Sequence, residues 1–158
     1  MSGGWTPIVV AALAAIVVAA AGAWLTALGP WYRSLRVPSW KPPDWAFGPV
    51  WTTIFTLTAI AGVLAWNAAP DGRERTWLIA AFGVNGLLNI AWSGVFFRLR
   101  RPDWALVEVA ALWLSVLGLI VVVGRHSGLG AALLLPYLAW VGIAALLNRS
   151  IVRLNGPF

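Results

Sequence analysis

The sequence predicts an all-α integral membrane protein, a bundle of five transmembrane helices, and three observations predict it. Of 158 residues, 61% are hydrophobic and 10% charged, with a mean hydropathy of +0.83. A soluble fold has too few polar groups here to cover that much apolar surface. Second, the charges are bunched, leaving uncharged runs at residues 1–32, 45–70, 76–97, 109–124 and 127–148. Most of these are long enough for a hydrocarbon core of about 30 Å, which takes about 20 helical residues. Third, lipid satisfies no exposed backbone group, so each span must close its own helical hydrogen bonds.

The spans are expected near 6–28, 45–66, 76–97, 104–124 and 129–148, in one domain covering 1–158. The fourth reaches sufficient length by starting at Trp104 and including Glu108. "AAAGAW" in the first has small residues suited to cleavage, but "MSGGWTP" before it has no Lys or Arg, so a permanent span is expected rather than a signal peptide. Cys is absent, which excludes disulfides and thiolate chemistry.

The net charge of +6 raises nucleic acid as a partner, but the placement of the charges argues against it. With five spans, residues 29–44, 98–103 and the C-terminal tail share one side. That side carries eight Lys or Arg against three, Arg73, Arg75 and Arg125, on the other. The positive-inside rule places loop 29–44 and the C-terminus in the cytoplasm and the N-terminus outside. An Ala-, Gly- and Arg-rich chain without a presequence is expected in a bacterial cell membrane.

Span one offers Ala15, Ala19 and Ala23 at helical spacing, with Ala12, Ala20 and Gly22 beside them. Small faces let helices approach closely. They are read first as internal packing and second as a homodimer surface. Short connections elsewhere predict antiparallel neighbours in sequential order.

The first connection, "WYRSLRVPSWKPPDWAFGPVW", is too apolar for a solvated linker. Pro38, Pro42 and Pro43 restrict their own and the preceding residues to an extended, stiff path. Such a segment is suited to lie across a bundle opening as a lid. Trp5, Trp66, Trp77 and Trp104 fall at span ends and are read as headgroup anchors.

Span two repeats Trp51, Phe55 and Thr58 at i, i+4 and i+7. Span three places Asn85, Asn89, Trp92, Ser93 and Phe96 on one side, and span five aligns Tyr137, Trp140, Ala144 and Leu147. Each stripe alone reads as packing. Three stripes converging under a proline-stiffened loop predict a pocket for a flat apolar ligand, polar at one rim. Pro136 is expected to kink span five. Glu108, inside an apolar span, is expected to pair with an Arg of the first or third loop; if it faces the cavity, it can be protonated or hold a cationic ligand group.

No metal site is expected: His126 is the single His and Met1 the single Met. Tight axial haem ligation is therefore not anticipated. A tetrapyrrole would be held by stacking, apolar burial and Arg or Lys contacts to its carboxylates. No nucleophile–base constellation or nucleotide-binding fingerprint occurs.

The block W-Y-x-x-L-x-x-P-x-W-x-P-P-x-W, with "N...W...FF" in span three and "PYLAW...A..LN" in span five, resembles the translocator protein family, the TspO/MBR or tryptophan-rich sensory proteins, formerly peripheral benzodiazepine receptors. The likeness covers nearly the whole chain. It implies a five-helix bundle, often dimeric, that binds porphyrins such as protoporphyrin IX without a required cofactor. Residue by residue, it implies ligand contacts from Tyr32, Pro42, Trp51 and Phe55 in the first loop and span two. Span three would add Asn89, Trp92 and Ser93, and span five Trp140, Ala144 and Leu147. Bacterial members are associated with light-dependent porphyrin breakdown, which the resemblance assigns to Trp51 and Trp140 in a catalytic role. A sterol motif of the form L/V-x₁₋₅-Y-x₁₋₅-K/R is missing, since no Lys or Arg follows Tyr137 until Arg149, so sterol is not an expected partner. The functional expectation is porphyrin sensing, scavenging or stress regulation, with photo-oxidative breakdown second and a carrier for porphyrin or another apolar metabolite third. The carrier ranks below because five spans offer no paired inverted repeat.

Overall fold

The computed structural model describes residues 4–158, and among these there is no strand. Helix α1 is Trp5–Leu25, α2 Pro30–Ser34, α3 Asp44–Ala68, α4 Arg73–Ser93, α5 Pro102–Gly124, α6 Gly128–Leu133 and α7 Leu135–Asn155. A π-helical segment, Gly94–Arg98, continues α4 without a break. Five helical lengths are long and apolar enough to cross a membrane: α1, α3, α4 with its π segment, α5, and α6 with α7. The expected fold class and number of spans are therefore observed.

Local chemistry explains several helix boundaries. Pro30 and Pro102 stand in the first turns of α2 and α5, where a missing N–H breaks no helical bond. Ser127 caps α6 by accepting from the Gly130 amide at 2.9 Å. Gly72 (φ 84°) makes the turn into α4 in a conformation that side chains disfavour. In α3, Thr52, Thr53 and Thr56 each give their hydroxyl proton to the carbonyl four residues back, which removes three unpaired donors from a span.

Helix α5 is the packing axis. Val109, Leu112, Val116, Leu119 and Val123, spaced three and four apart, are all buried against α4, α6 and α7. Ile54, Ala61 and Ala65 of α3 complete this core with Leu134, Tyr137 and Val141. Helix α1 packs on α3 and α4 but contributes no buried residue of its own.

Four details differ from the sequence expectations. Spans two and three are joined by a short turn yet touch only sparsely, α3 packing mainly on α1 and α6. The first connection is not extended throughout, since Pro30 starts the helical turn α2. Pro136 does not kink a continuous helix: the fifth span breaks at Leu134, and Pro136 lies in the first turn of α7, where it is tolerated. Finally, α7 continues past residue 148 to Asn155.

Candidate ligand site

A cavity of about 1070 Å³ lies between α1, α3, α4 and α7 and ends beneath the first connection. Its loop end is aromatic. Trp51 stacks on Phe55 (5.4 Å, 25°) and stands edge-on to Tyr137 (6.1 Å, 81°), while Trp140 meets Phe47 edge-on (5.5 Å, 70°). Opposite them Trp92 stacks on Phe96 (5.1 Å, 28°) and stands edge-on to Phe97 (6.0 Å, 86°). The π segment has a part in this, since its wider turn buries Phe96 and Phe97 together.

A chain of hydrogen bonds fixes the polar side of the wall. Asn89 Nδ2 donates to the Tyr137 hydroxyl (2.8 Å), which donates to Asn85 Oδ1 (3.1 Å). Asn85 Nδ2 in turn donates to Ser115 Oγ (3.0 Å), whose proton goes to the Leu112 carbonyl (2.7 Å). The Ser115 proton is thus committed to its own helix, which sets the direction of every bond before it. Asn89 spends an amide proton on Tyr137 and faces the cavity with its remaining capacity.

At the mouth, Asp44 Oδ1 accepts from Lys41 Nζ (2.6 Å) and from the Tyr32 hydroxyl (3.1 Å). Burial tends to lower the Lys41 pKa, but the hydrogen bond to Asp44 and the attraction of Tyr32 outweigh it and leave it raised. Burial raises the Tyr32 pKa, against the attraction of Lys41. Asn155 anchors the same connection to the end of α7: its side chain accepts from the Arg36 amide and donates to the Arg36 carbonyl, both at 2.8 Å.

Eight of the ten expected contact residues line this cavity: Tyr32, Trp51 and Phe55; Asn89, Trp92 and Ser93; Trp140 and Ala144. Pro42 does not; its carbonyl accepts from Lys41 Nζ at 3.1 Å, as part of the clasp at the mouth. Leu147 does not either, because it packs with Phe96, Phe97, Ala105 and Ile151. Glu108 does not line the cavity, and the expected Arg pair is not formed; both its carboxylate oxygens are buried without a hydrogen-bond partner among the described residues.

Phe47 and Asp44 are wall residues that the sequence reading did not name. Phe47 stands four residues before Trp51 and extends the Trp51–Phe55 stripe, a signal that was present. Asn148 was seen only as the end of a motif. It is fully buried, and its Oδ1 accepts from the Trp92 indole at 3.1 Å.

Among the described residues no group of three His, Asp or Glu side chains could hold a metal ion. The site can stack a flat apolar molecule between indole and phenyl rings and meet polar atoms at one edge.

A model of the TspO/MBR family matches residues 8–154. The chain is 38% identical to a tryptophan-rich protein TspO of Chlorobaculum tepidum over 127 residues, 79% of each chain. It is 36% identical to a protein of the same name from Archaeoglobus fulgidus over 152 residues, 94% of this chain and 96% of the relative. A human translocator protein is 35% identical over 126 residues, 79% of this chain and 75% of the relative.

Proposed function

Because the chain belongs to the TspO/MBR family of integral membrane proteins, we propose that it binds a porphyrin-type tetrapyrrole in the aromatic end of the cavity and serves in porphyrin sensing, scavenging or stress regulation. One observation carries this reading: Trp51, Trp92 and Trp140, from three different spans, line a single cavity. Aromatic faces brought together in this way favour a planar conjugated guest, at about 0.5–1.5 kcal/mol per ring pair beyond burial. No cofactor is required for it. Titrating the protein with protoporphyrin IX should quench tryptophan fluorescence saturably; linear, unsaturable quenching would remove the proposal.

Light-dependent porphyrin breakdown is a second reading, favoured by a specific contrast. The Trp92 indole N–H is committed to Asn148, whereas Trp51 and Trp140 make no hydrogen bond among the described residues. With light and dioxygen supplied, these two rings are oxidisable neighbours of an excited macrocycle. Trp51→Phe with Trp140→Phe breaks no internal hydrogen bond, so it tests the rings alone. The double variant should bind protoporphyrin more weakly, by about 1 kcal/mol or roughly fivefold, and form no new absorbing product under illumination. Unchanged binding and an unchanged photoproduct would remove both residues from the scheme. A carrier role is distinguished by porphyrin flux into sealed vesicles.

The proposed setting is a bacterial cell membrane, with the first connection and the C-terminus cytoplasmic and the N-terminus outside. A homodimer belongs to this reading, although of the six small α1 residues named above only exposed Ala20 lies outside the cavity lining and is placed to meet a second copy; a sterol ligand does not. The Cys-free chain makes the orientation directly testable. A single Ser39→Cys should react with a membrane-impermeant maleimide only after the cytoplasmic face is opened.

A further inference from the structure

The end of the bundle that carries the first connection, the turn before α5 and the C-terminal tail is openly basic. Its two acids are both engaged, Asp44 by Lys41 and Asp103 by Arg101. That leaves Arg33, Arg36, Arg98, Arg100, Arg149 and Arg153, all exposed and none with a carboxylate partner among the described residues. At the opposite end Asp71 and Glu74 stand among Arg73, Arg75 and Arg125, so the positive excess there is nearly cancelled.

Within this basic end, the turn of residues 98–101 carries its arginines on aromatic platforms. The Arg98 guanidinium lies over Trp24 of α1 (5.2 Å to the ring centre), Arg100 over Trp31 of α2 (6.0 Å) and Arg101 over Trp104 of α5 (4.1 Å). Trp24 and Trp104 are 74% and 55% exposed at the ends of their spans, where indoles sit at the headgroup level. The rings therefore hold these guanidiniums at the depth of lipid phosphates rather than letting them extend into water. Leu99, exposed between Arg98 and Arg100, suits the same depth. The turn is also fixed. The Leu99 amide donates to the Gly94 carbonyl (3.0 Å) and the Arg101 amide to the Val95 carbonyl (3.1 Å), with Arg100 in the left-handed region at φ 54°.

Attraction to a ring face uses the charge of a guanidinium and leaves its N–H donors free for oxygen acceptors. Arg101 turns its donors to Asp103, and Arg98 gives one to the Trp24 carbonyl. The other side-chain donors of Arg98, and all of those of Arg100, have no partner among the described residues. We infer that this turn binds the headgroup phosphate of an anionic phospholipid in the leaflet it faces, through Arg98 and Arg100. Planar forks suit phosphate oxygens. With both acids of this end engaged, the surface favours a headgroup of net negative charge over a zwitterionic one, whose own cation it repels. Neither arginine lines the cavity, so the inference is independent of what the cavity holds.

The test offers the full chain, in a mild detergent, equal amounts of phosphatidylglycerol and phosphatidylcholine with the same acyl chains. Native mass spectrometry should show phosphatidylglycerol bound in preference. Each guanidinium near an anionic surface contributes roughly fivefold, so Arg98→Gln with Arg100→Gln should lower the preference by about tenfold or more. Arg100→Gln alone breaks no hydrogen bond among the described residues, so it should lower the preference severalfold in a chain that still folds. Arg149→Gln with Arg153→Gln removes the same charge from the same end without touching the turn, and should leave most of the preference. Equal losses from the two double variants would overturn the inference, since they would show diffuse attraction to a charged end. So would equal binding of the two lipids by the wild type, or displacement of the lipid by millimolar inorganic phosphate, which marks a site for free anions.

Discussion

Trp92 of α4 donates its indole N–H to Asn148 of α7 across 3.1 Å. Asn148 Nδ2 then donates to the Pro102 carbonyl at the start of α5 (2.8 Å), so one fully buried carboxamide ties three spans together at the level of the aromatic site. The bond also holds the indole that stacks on Phe96, which makes this cavity wall a fixed surface.

Asn148→Leu retains the approximate volume and strands two partners, the Trp92 N–H and the Pro102 carbonyl. Leaving buried groups unpaired costs about 1–3 kcal/mol. Thermal unfolding in detergent should fall accordingly, and Trp92→Phe should be milder because it removes the donor itself. Equal losses in the two variants would contradict this account.

Tyr137→Phe interrupts the chain from Asn89 to Asn85. Interhelical hydrogen bonds in membranes average about 0.6 kcal/mol and reach about 1.7, since the separated helices also find partners. The expected loss of stability is therefore modest, while any ligand that relies on Asn89 should lose affinity as its amide becomes free to turn. Comparing unfolding with titration separates the two effects.

Gly130 is where α6 presses against its neighbours. A Cβ there would stand 2.8 Å from Val123 Cγ1 and 3.3 Å from the Ala61 carbonyl oxygen. Val123 is buried and the carbonyl belongs to helical backbone, so neither yields readily. Gly130→Ala should cost about 1–3 kcal/mol through overpacking, in contrast to Gly118→Ala, which meets no atom within 4 Å and replaces glycine with a better helix former.

The clasp of Tyr32, Lys41 and Asp44 stands at the mouth. Both Tyr32 and Lys41 hold their protons more tightly when folded, so their contribution is present below the ordinary values near pH 10 and is lost as pH rises through the higher folded ones. Protoporphyrin release should thus be flat from about pH 6 to 9 and quicken only in strong alkali. Asp44→Asn should speed release at neutral pH by removing the charge that holds Lys41, and Pro42→Gly with Pro43→Gly should speed it by loosening the chain. Stopped-flow recovery of tryptophan fluorescence reads each; an unchanged rate in both variants would show that the mouth does not control release.

The five spans were legible in the sequence because hydrophobic length is a local property: about 20 apolar residues suffice, whatever surrounds them. The same holds for the stripes of Trp51 with Phe55 and Trp140 with Ala144, since i, i+4 spacing fixes a shared face within one helix. Pro42 and Leu147 could not be sorted in this way. Whether a residue on the right face reaches a cavity depends on what a neighbouring helix places before it, and Leu147 is met by the Phe96–Phe97 pair that the π segment turns inward.

By itself, then, the sequence determined the lipid-facing composition, the five helices and the aromatic character of the site, each written within a single run of residues. Only the tertiary structure decided that α1 packs against both α3 and α4, that Asn148 joins three spans, and that Trp51, Trp92 and Trp140 line one cavity. These depend on close packing between segments far apart in the chain, where one side chain's volume decides whether two helices touch or leave a slot.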